Sequence, residues 1–334
     1  MTYVIAEIGV NHNGDLNLAK KMILAAKRSG VNAVKFQSFL PEEVVIKKLE
    51  LAPYQKRNLK KNSSMIKMIS KYQLSFDEQK KLFIFCKKNK IEFLSSPFDL
   101  ISAKFLVEEL KLKTIKIPSG EITNYPLLKY LSSFPIKIIL STGMATIIDI
   151  KLAINILCKK NNIKKENITV LHCTTSYPTN IEEVNLNAML YLKKVLKMHV
   201  GYSDHTESNL TALVATSLGA HIIEKHLTLN KFLSGPDHKA SILPKEFKDL
   251  TENIKKIKVI LGNSKKKITK SEKENIAFAR KSIVANTNIN KGDFFSENNL
   301  TTKRPSLGLS PMLWNKIIGK KSKFYFNKDE YIKL

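Results

Sequence analysis

The sequence has no apolar run of the roughly 18 residues that a membrane-spanning helix needs. Its opening stretch, "MTYVIAEIGVNHNGD", carries no basic segment ahead of the apolar one and so does not read as a secretory signal. Cysteine is scarce: Cys86, Cys158 and Cys173 are scattered, with no CxxC spacing. That pattern excludes a disulfide framework and suits a reducing cytoplasm. There is no P-loop and no GxGxxG phrase, so nucleotide binding has no motif behind it.

Arginine is the other shortage. The chain has 56 basic residues against 29 acidic ones, a formal charge of +27, yet only Arg28, Arg57, Arg280 and Arg304 are arginine. Surfaces that read bases favour arginine, because its planar fork pairs bidentately. Here the charge is lysine, in runs such as "KKNK" (87–90) and "KKNNIKK" (159–165), as on solvated helix faces. No nucleic acid and no membrane is expected as a partner. A positive field of this kind can still draw in anionic substrates.

What the chain does have is alternation. With 334 residues, 43% of them hydrophobic, it can build one large domain and a small one. Strand-like runs occur at "YVIAEIG" (3–9), "AVKFQ" (33–37), "EFLSS" (92–96), "TIKIPS" (114–119), "KIILST" (137–142), "ITVLHCT" (168–174), "HVGYSDH" (199–205) and "HIIEKHL" (221–227). Amphipathic stretches separate them; "LNLAKKMILAAKRSG" (16–30) has helical apolar spacing and ends on Gly30. Strand and helix alternating in this way predict an α/β fold, a (β/α)8 TIM barrel. The insertion at 41–75, with "APYQKRN", is longer than a plain connection and is expected to cover the barrel mouth. The expected division is a catalytic barrel over 1–263, a Lys/Ser-rich linker over 264–279 and a small strand-rich domain over 280–334.

A TIM barrel carries its active site at the C-terminal ends of its strands. Those ends hold Glu7, Lys35, Gln37, Ser96, Lys116, Ser119, Glu121, Ser141, Tyr177, Ser203, His205, Glu224 and His226. Polar groups converging from every strand point to a catalytic mouth. His205 in "VGYSDHT" and His226 in "IIEKHLTL" end neighbouring strands, where two imidazoles can share a divalent transition metal. Taken singly, each also fits a strand-end histidine bonded to backbone. Lys35 and Lys116 sit inside apolar strands. A lysine buried there without an anion is costly. Either it snorkels to the rim, or, with Ser119 and Ser141, it faces a ligand carrying phosphate and carboxylate.

The phrases "AEIGVNHNGDLNLAK", "AVKFQSF", "KIPSGEITNYPLL", "ILSTGMAT", "LHCTTSYPT", "GYSDHT", "IEKHLTL", "GPDHKAS" and "RKSIVA…KRPSLGLSP" resemble the sialic acid synthase family, in order and over nearly the whole chain. The terminal segment resembles that family's antifreeze-like SAF domain. The resemblance implies a phosphoenolpyruvate-dependent transferase that condenses phosphoenolpyruvate with an N-acetylated mannosamine-type sugar to a nine-carbon 2-keto acid, releasing phosphate. It implies a divalent metal, Mn²⁺ or else Mg²⁺ or Co²⁺, on His205 and His226. Lys35, Lys116, Ser119, Ser141, Thr175 and Ser203 would hold phosphoenolpyruvate; Gln37, Tyr177, Asp237 and Arg304 would hold the sugar; Glu7 and Glu121 would transfer protons. It also implies a domain-swapped homodimer, with Arg304 serving the partner's site.

Four positions, in three phrases, depart from the family's pattern. Asn180 replaces a proline in "YPTP", Thr174 and Thr175 stand where many members have asparagine near the phosphate, and Ser306 replaces a glycine. The activity the resemblance implies is N-acetylneuraminate synthase. "SGEITN" and "APYQ" fit equally an N,N'-diacetyllegionaminate synthase acting on 2,4-diacetamido-2,4,6-trideoxymannose. A reading of another class, a sugar- or nucleic-acid-binding protein without turnover, is opposed by the retained Glu7, Glu121, His205 and His226.

Overall fold

The computed structural model describes residues 2–51 and 64–334. The "APYQKRN" phrase of the insertion lies outside the described residues. The chain separates into two compact units, Met1–Gly262 and Asn263–Leu334.

The first unit is built on eight strands: β1 Tyr3–Gly9, β2 Ala33–Ser38, β3 Glu92–Pro97, β4 Thr114–Ile117, β5 Lys137–Ser141, β6 Ile168–His172, β7 His199–Asp204 and β8 Ile222–His226. They pair in parallel in the order β3-β2-β1-β8-β7-β6-β5-β4, and β3 also lies against β4, so the sheet closes into a TIM barrel. Helices cover its outside. Leu16–Arg28 starts at Asp15, whose carboxylate accepts the Asn17 and Leu18 N–H groups, and it stops before Gly30, where φ is +78°. Phe76–Lys88 and Ile147–Cys158 each begin with a capping box, Ser75 with Glu78 and Thr146 with Asp149. Among the described residues no helix is long and apolar enough to cross a membrane.

Strand side chains alternate between two environments because their period is two. Outward residues such as Val4, Ala6, Val34, Phe36, Ile138, Leu140, Val170 and Val200 pack under the helices. Inward residues Ile5, Ala33, Leu94, Ile139, Leu171 and Ile222 form an apolar plug inside the barrel. Two residues further along the same strands the inward set changes character, to Glu7, Lys35, Ser96, Ser141 and Glu224. The barrel is therefore closed below and polar above, which fixes the end at which chemistry can occur.

The second unit has its own small core of Ile283, Ala285, Ile289, Phe295, Leu300, Ile317, Phe326 and Ile332. Strands β9 Ser282–Ala285 and β10 Leu300–Lys303 pair antiparallel. The stretch expected to be a linker, 264–279, is helical over Lys270–Ala279. Thr269 and Glu272 form a capping box at its start, and Ser306 N–H donates to the Ala277 carbonyl near its end. The T-x-x-E signal is present in the sequence, but the surrounding lysines mask it.

Candidate active site

The polar end of the barrel holds a cavity of about 330 Å³. Its floor is a square of buried charges. Lys35 Nζ lies 2.7 Å from Glu7 Oε2 and 3.8 Å from Glu224 Oε2, and Lys116 Nζ lies 2.9 Å from Glu224 Oε1. Lys35 also donates to Ser96 Oγ at 3.1 Å, and Ser203 Oγ donates to Glu224 Oε1 at 3.0 Å. Neither lysine snorkels; both are buried and compensated by carboxylates.

The two carboxylates are driven apart. Burial raises the Glu7 carboxyl to about 7, against the pull of Lys35 and with the help of Glu224's charge. Burial acts on Glu224 too, but the Lys116 and Lys35 ammonium groups override it and hold that carboxyl well below its ordinary range. Two neighbouring acids with opposite shifts give one group that stays ionised and one that can exchange a proton near neutrality.

Beside this floor lies a hydroxyl cradle. Ser119 Oγ accepts the Gly143 N–H at 3.0 Å, and Thr175 Oγ1 is buried without a hydrogen-bond partner. Gly143 is required there: a Cβ would stand 2.2 Å from Thr175 Oγ1 and 2.9 Å from Ser119 Oγ. Ser141 and Ser203 also line the cavity.

The two histidines meet above the floor, with ring centroids 5.6 Å apart. His205 Nδ1 pairs with the Thr174 carbonyl at 2.7 Å, which leaves Nε2 with its lone pair toward Ser203 Oγ at 3.4 Å. His226 Nδ1 is buried with no hydrogen-bond partner, 3.8 Å from Asp237 Oδ2. Burial lowers His205 to about 4 and pushes His226 well below its usual range, helped by His205 and Lys35. Both rings are thus neutral near neutral pH. An orphaned imidazole nitrogen beside a second imidazole fixed by a backbone acceptor is a donor set that suits a divalent transition metal. No group of three or more His, Cys, Asp or Glu side chains among the described residues is arranged to hold one, so His205 and His226 are the side chains that would bind it.

Asp237 reaches the cavity from the loop after β8, and burial raises its carboxyl to about 6. That loop is pinned to the one after β1. Asn11 Nδ2 donates to Ser241 Oγ and to the Leu227 carbonyl, while the His238 ring bonds Thr228 Oγ1 at 2.8 Å. The Tyr177 ring stands 4.1 Å from His205, and Gln37 Nε2 donates to Glu7 Oε1 at 3.4 Å.

Of the residues singled out in the sequence, Glu7, Lys35, Gln37, Lys116, Ser119, Ser141, Thr175, Tyr177, Ser203, His205, His226 and Asp237 all line this cavity. Glu121 does not. It ends the short turn Ser119–Glu121, and its carboxylate accepts from Asn124 Nδ2 at 2.6 Å. Arg304 is an exposed residue of the second unit. Two features of the site escape the sequence. Glu224 is recognisable there as a strand end but has no role. The outer wall of Val44, Val45, Met65, Met68, Ile69 and Tyr72 comes from the insertion. Its signal is the i, i+3, i+4, i+7 spacing of "MIKMISKY", the helix Met65–Tyr72.

Comparison with known proteins gives this geometry a family. The chain is 51% identical to the N,N'-diacetyllegionaminic acid synthase of Campylobacter jejuni over 99% of both proteins. It is 41% identical to the protein of that name from Legionella pneumophila, covering 95% of this chain and 89% of the relative. The crystal structure of N-acetylneuraminic acid (sialic acid) synthetase from Leptospira borgpetersenii, in complex with citrate, superposes with a TM-score of 0.72 at 34% identity, covering 82% of this chain and 90% of that one. The NeuB family model matches residues 22–266 and the SAF domain model residues 280–334, and the chain accordingly belongs to the NeuB family, with a C-terminal SAF domain.

Proposed function

We propose that this chain is an N,N'-diacetyllegionaminate synthase, condensing phosphoenolpyruvate with 2,4-diacetamido-2,4,6-trideoxymannose. At the coarser level it is an enzyme, a phosphoenolpyruvate-dependent nonulosonic acid synthase, in keeping with its relatives. The observation that carries the finer reading is the two-sided cavity: a floor of lysines and hydroxyls beneath a wall of Val44, Val45, Met65, Met68, Ile69 and Tyr72. Compared with N-acetylmannosamine, the diacetamido sugar has a methyl at C6 in place of a hydroxymethyl, and a second acetyl methyl. An apolar wall solvates those groups well and offers a C6 hydroxyl little to bond. The N-acetylneuraminate reading fits the wall less well.

The residues divide the work as follows. Lys35 and Lys116 neutralise the phosphate and carboxylate of phosphoenolpyruvate, and the hydroxyls of Ser119, Ser141, Thr175 and Ser203 direct the phosphate oxygens. Glu224 stays ionised and keeps both lysines charged in a buried site. Gln37, Tyr177 and Asp237 orient the open-chain sugar so that its aldehyde meets the enol carbon. His205 and His226 would hold a divalent cation, whose chemistry is to polarise that aldehyde as a Lewis acid. Glu7, with its raised carboxyl, takes the proton of the water that adds to C2. Phosphate then leaves by C–O cleavage, its charge met by the two lysines.

The test is phosphate release by the purified full chain, with phosphoenolpyruvate and each of the two sugars in turn. The expected result is a kcat/KM at least about tenfold higher for the diacetamido sugar, since even one methyl-sized difference in an apolar pocket allows about that much and the two sugars differ at two positions. A preference for N-acetylmannosamine returns the reading to N-acetylneuraminate synthase. No phosphate release with any nonulosonate precursor sinks the synthase reading.

A further inference from the structure

The chemistry above uses none of the groups on the outer face of β7 and β8, yet that face holds a fully buried ion pair. Asp204 and Lys225 are register partners on adjacent strands, and each immediately precedes one of the cavity histidines, His205 and His226. Their side chains point away from the cavity, and both are completely buried, with Nζ 2.7 Å from Oδ2. Neighbouring outward positions on these strands are Val200, Tyr202 and Ile223, as the packing under helices requires. A charged pair is out of place there. Burying it gains little stability, because an apolar pair of similar volume usually does as well or better.

What an apolar pair lacks is directed bonding, and here the bonds to Thr206 bracket His205. Asp204 Oδ1 accepts from the Thr206 N–H at 2.9 Å and from Thr206 Oγ1 at 2.8 Å. Asp204 Oδ2 accepts from Thr211 Oγ1 at 2.9 Å, at the foot of the helix Leu210–Ser217. Lys225 Nζ donates to the Thr206 carbonyl at 2.7 Å. Asp204, the residue before His205, and the carbonyl of Thr206, the residue after it, are therefore both tied through Lys225 to β8, the strand that carries His226, while the Thr206 N–H is tied back to Asp204 itself. Only then does the bond from the His205 ring to the Thr174 carbonyl fix the ring itself.

We propose that Asp204 and Lys225 form an external clasp that positions His205 against His226 and so sets the cation affinity of the two-imidazole centre. They are positioning residues and touch no substrate. The inference rests on the reading of the two histidines as cation ligands, and the experiment separates the two claims.

The full-length double variant Asp204→Leu/Lys225→Met replaces the clasp by an apolar pair. Mn²⁺ binding is followed by the electron paramagnetic resonance of free Mn²⁺, and stability by thermal melting. The expected result is a melting temperature close to wild type with Mn²⁺ affinity reduced about tenfold, the lower end of the loss seen when a group bonded directly to a ligating imidazole is removed, because the clasp acts one bond further out. Thr211→Val removes one bond to Asp204 and one to Thr206 Oγ1 but leaves the ion pair, and should give a smaller loss in the same direction, which keeps the test alive if the double variant does not fold. Leu157→Ala, in the apolar shell away from the site, is the control for stability. Unchanged Mn²⁺ affinity in the clasp variants overturns the proposal, as does an equal loss in Leu157→Ala at equal destabilisation. If the wild-type protein binds no Mn²⁺, the ligand reading falls and the clasp is judged on the ¹⁵N ring spectrum of His205. A single tautomer in wild type that becomes mixed in the variants upholds positioning, and an unaltered spectrum overturns it.

Discussion

Replacing Lys116 by Met removes one of the two cations that hold Glu224 ionised on the cavity floor. Breaking a buried ion pair by deleting one partner costs about 3–5 kcal/mol, because the other charge is left in a medium that solvates it poorly. Glu224 keeps the Ser203 hydroxyl at 3.0 Å and Lys35 at 3.8 Å, so the lower end, about 3 kcal/mol, applies. Glu224→Gln should cost a similar amount, since it leaves Lys116 facing the like charge of Lys35. The double variant Lys116→Met/Glu224→Gln strands neither partner. Its cost should fall short of the sum of the single costs by about 2 kcal/mol or more, within the range found for residues in one network. Urea denaturation of the four proteins, followed by far-ultraviolet circular dichroism, measures this for the barrel. The chain's one tryptophan, Trp314, reports the second unit separately by fluorescence. Single costs that add to within about 0.5 kcal/mol would falsify the coupled floor.

The remaining expectations concern the proton, the cation and the cradle. Glu7 acts only when ionised, so kcat/KM should climb as pH rises toward about 7 and then level off, and Glu7→Gln should abolish that limb together with most of the activity; a flat profile through this range contradicts the assignment. Because the folded carboxyl lies above its unfolded value of 4.5, the folded state binds the extra proton between those pH values, so stability from Glu7 is fully present at low pH and is lost as pH rises through about 7; Glu7→Gln should flatten this part of the melting-temperature profile. Chelation with EDTA should stop phosphate release and Mn²⁺ should restore it in wild type, with incomplete recovery in His205→Ala or His226→Ala; full activity in metal-free buffer excludes a cation role. Gly143→Ala drives a Cβ into Thr175 Oγ1 and Ser119 Oγ, and should raise the KM for phosphoenolpyruvate roughly tenfold through the loss of about one charge-assisted hydrogen bond; an unaltered KM shows that the cradle does not hold the phosphate.

The sequence by itself determined the barrel, because alternation of short apolar runs with amphipathic stretches is a local property that each segment carries alone. It also determined which residues stand at the strand ends, since a strand's period of two and its C-terminal position can be counted without knowing its neighbours. Lys35, Lys116, His205 and His226 are legible on that ground alone. Tertiary structure decided what those groups are to one another. That Lys35 is shared between Glu7 and Glu224 depends on barrel closure, which brings strands far apart in sequence to one floor. The same closure sets the Glu7 and Glu224 carboxyls apart in acidity, and it places Glu7, not Glu121, on the cavity wall. The pairing of Asp204 with Lys225 needed the register of β7 against β8, a relation that no single strand encodes. Periodicity is written along the chain, whereas electrostatics and hydrogen-bond direction act through space, and only the folded geometry fixes the distances on which they depend.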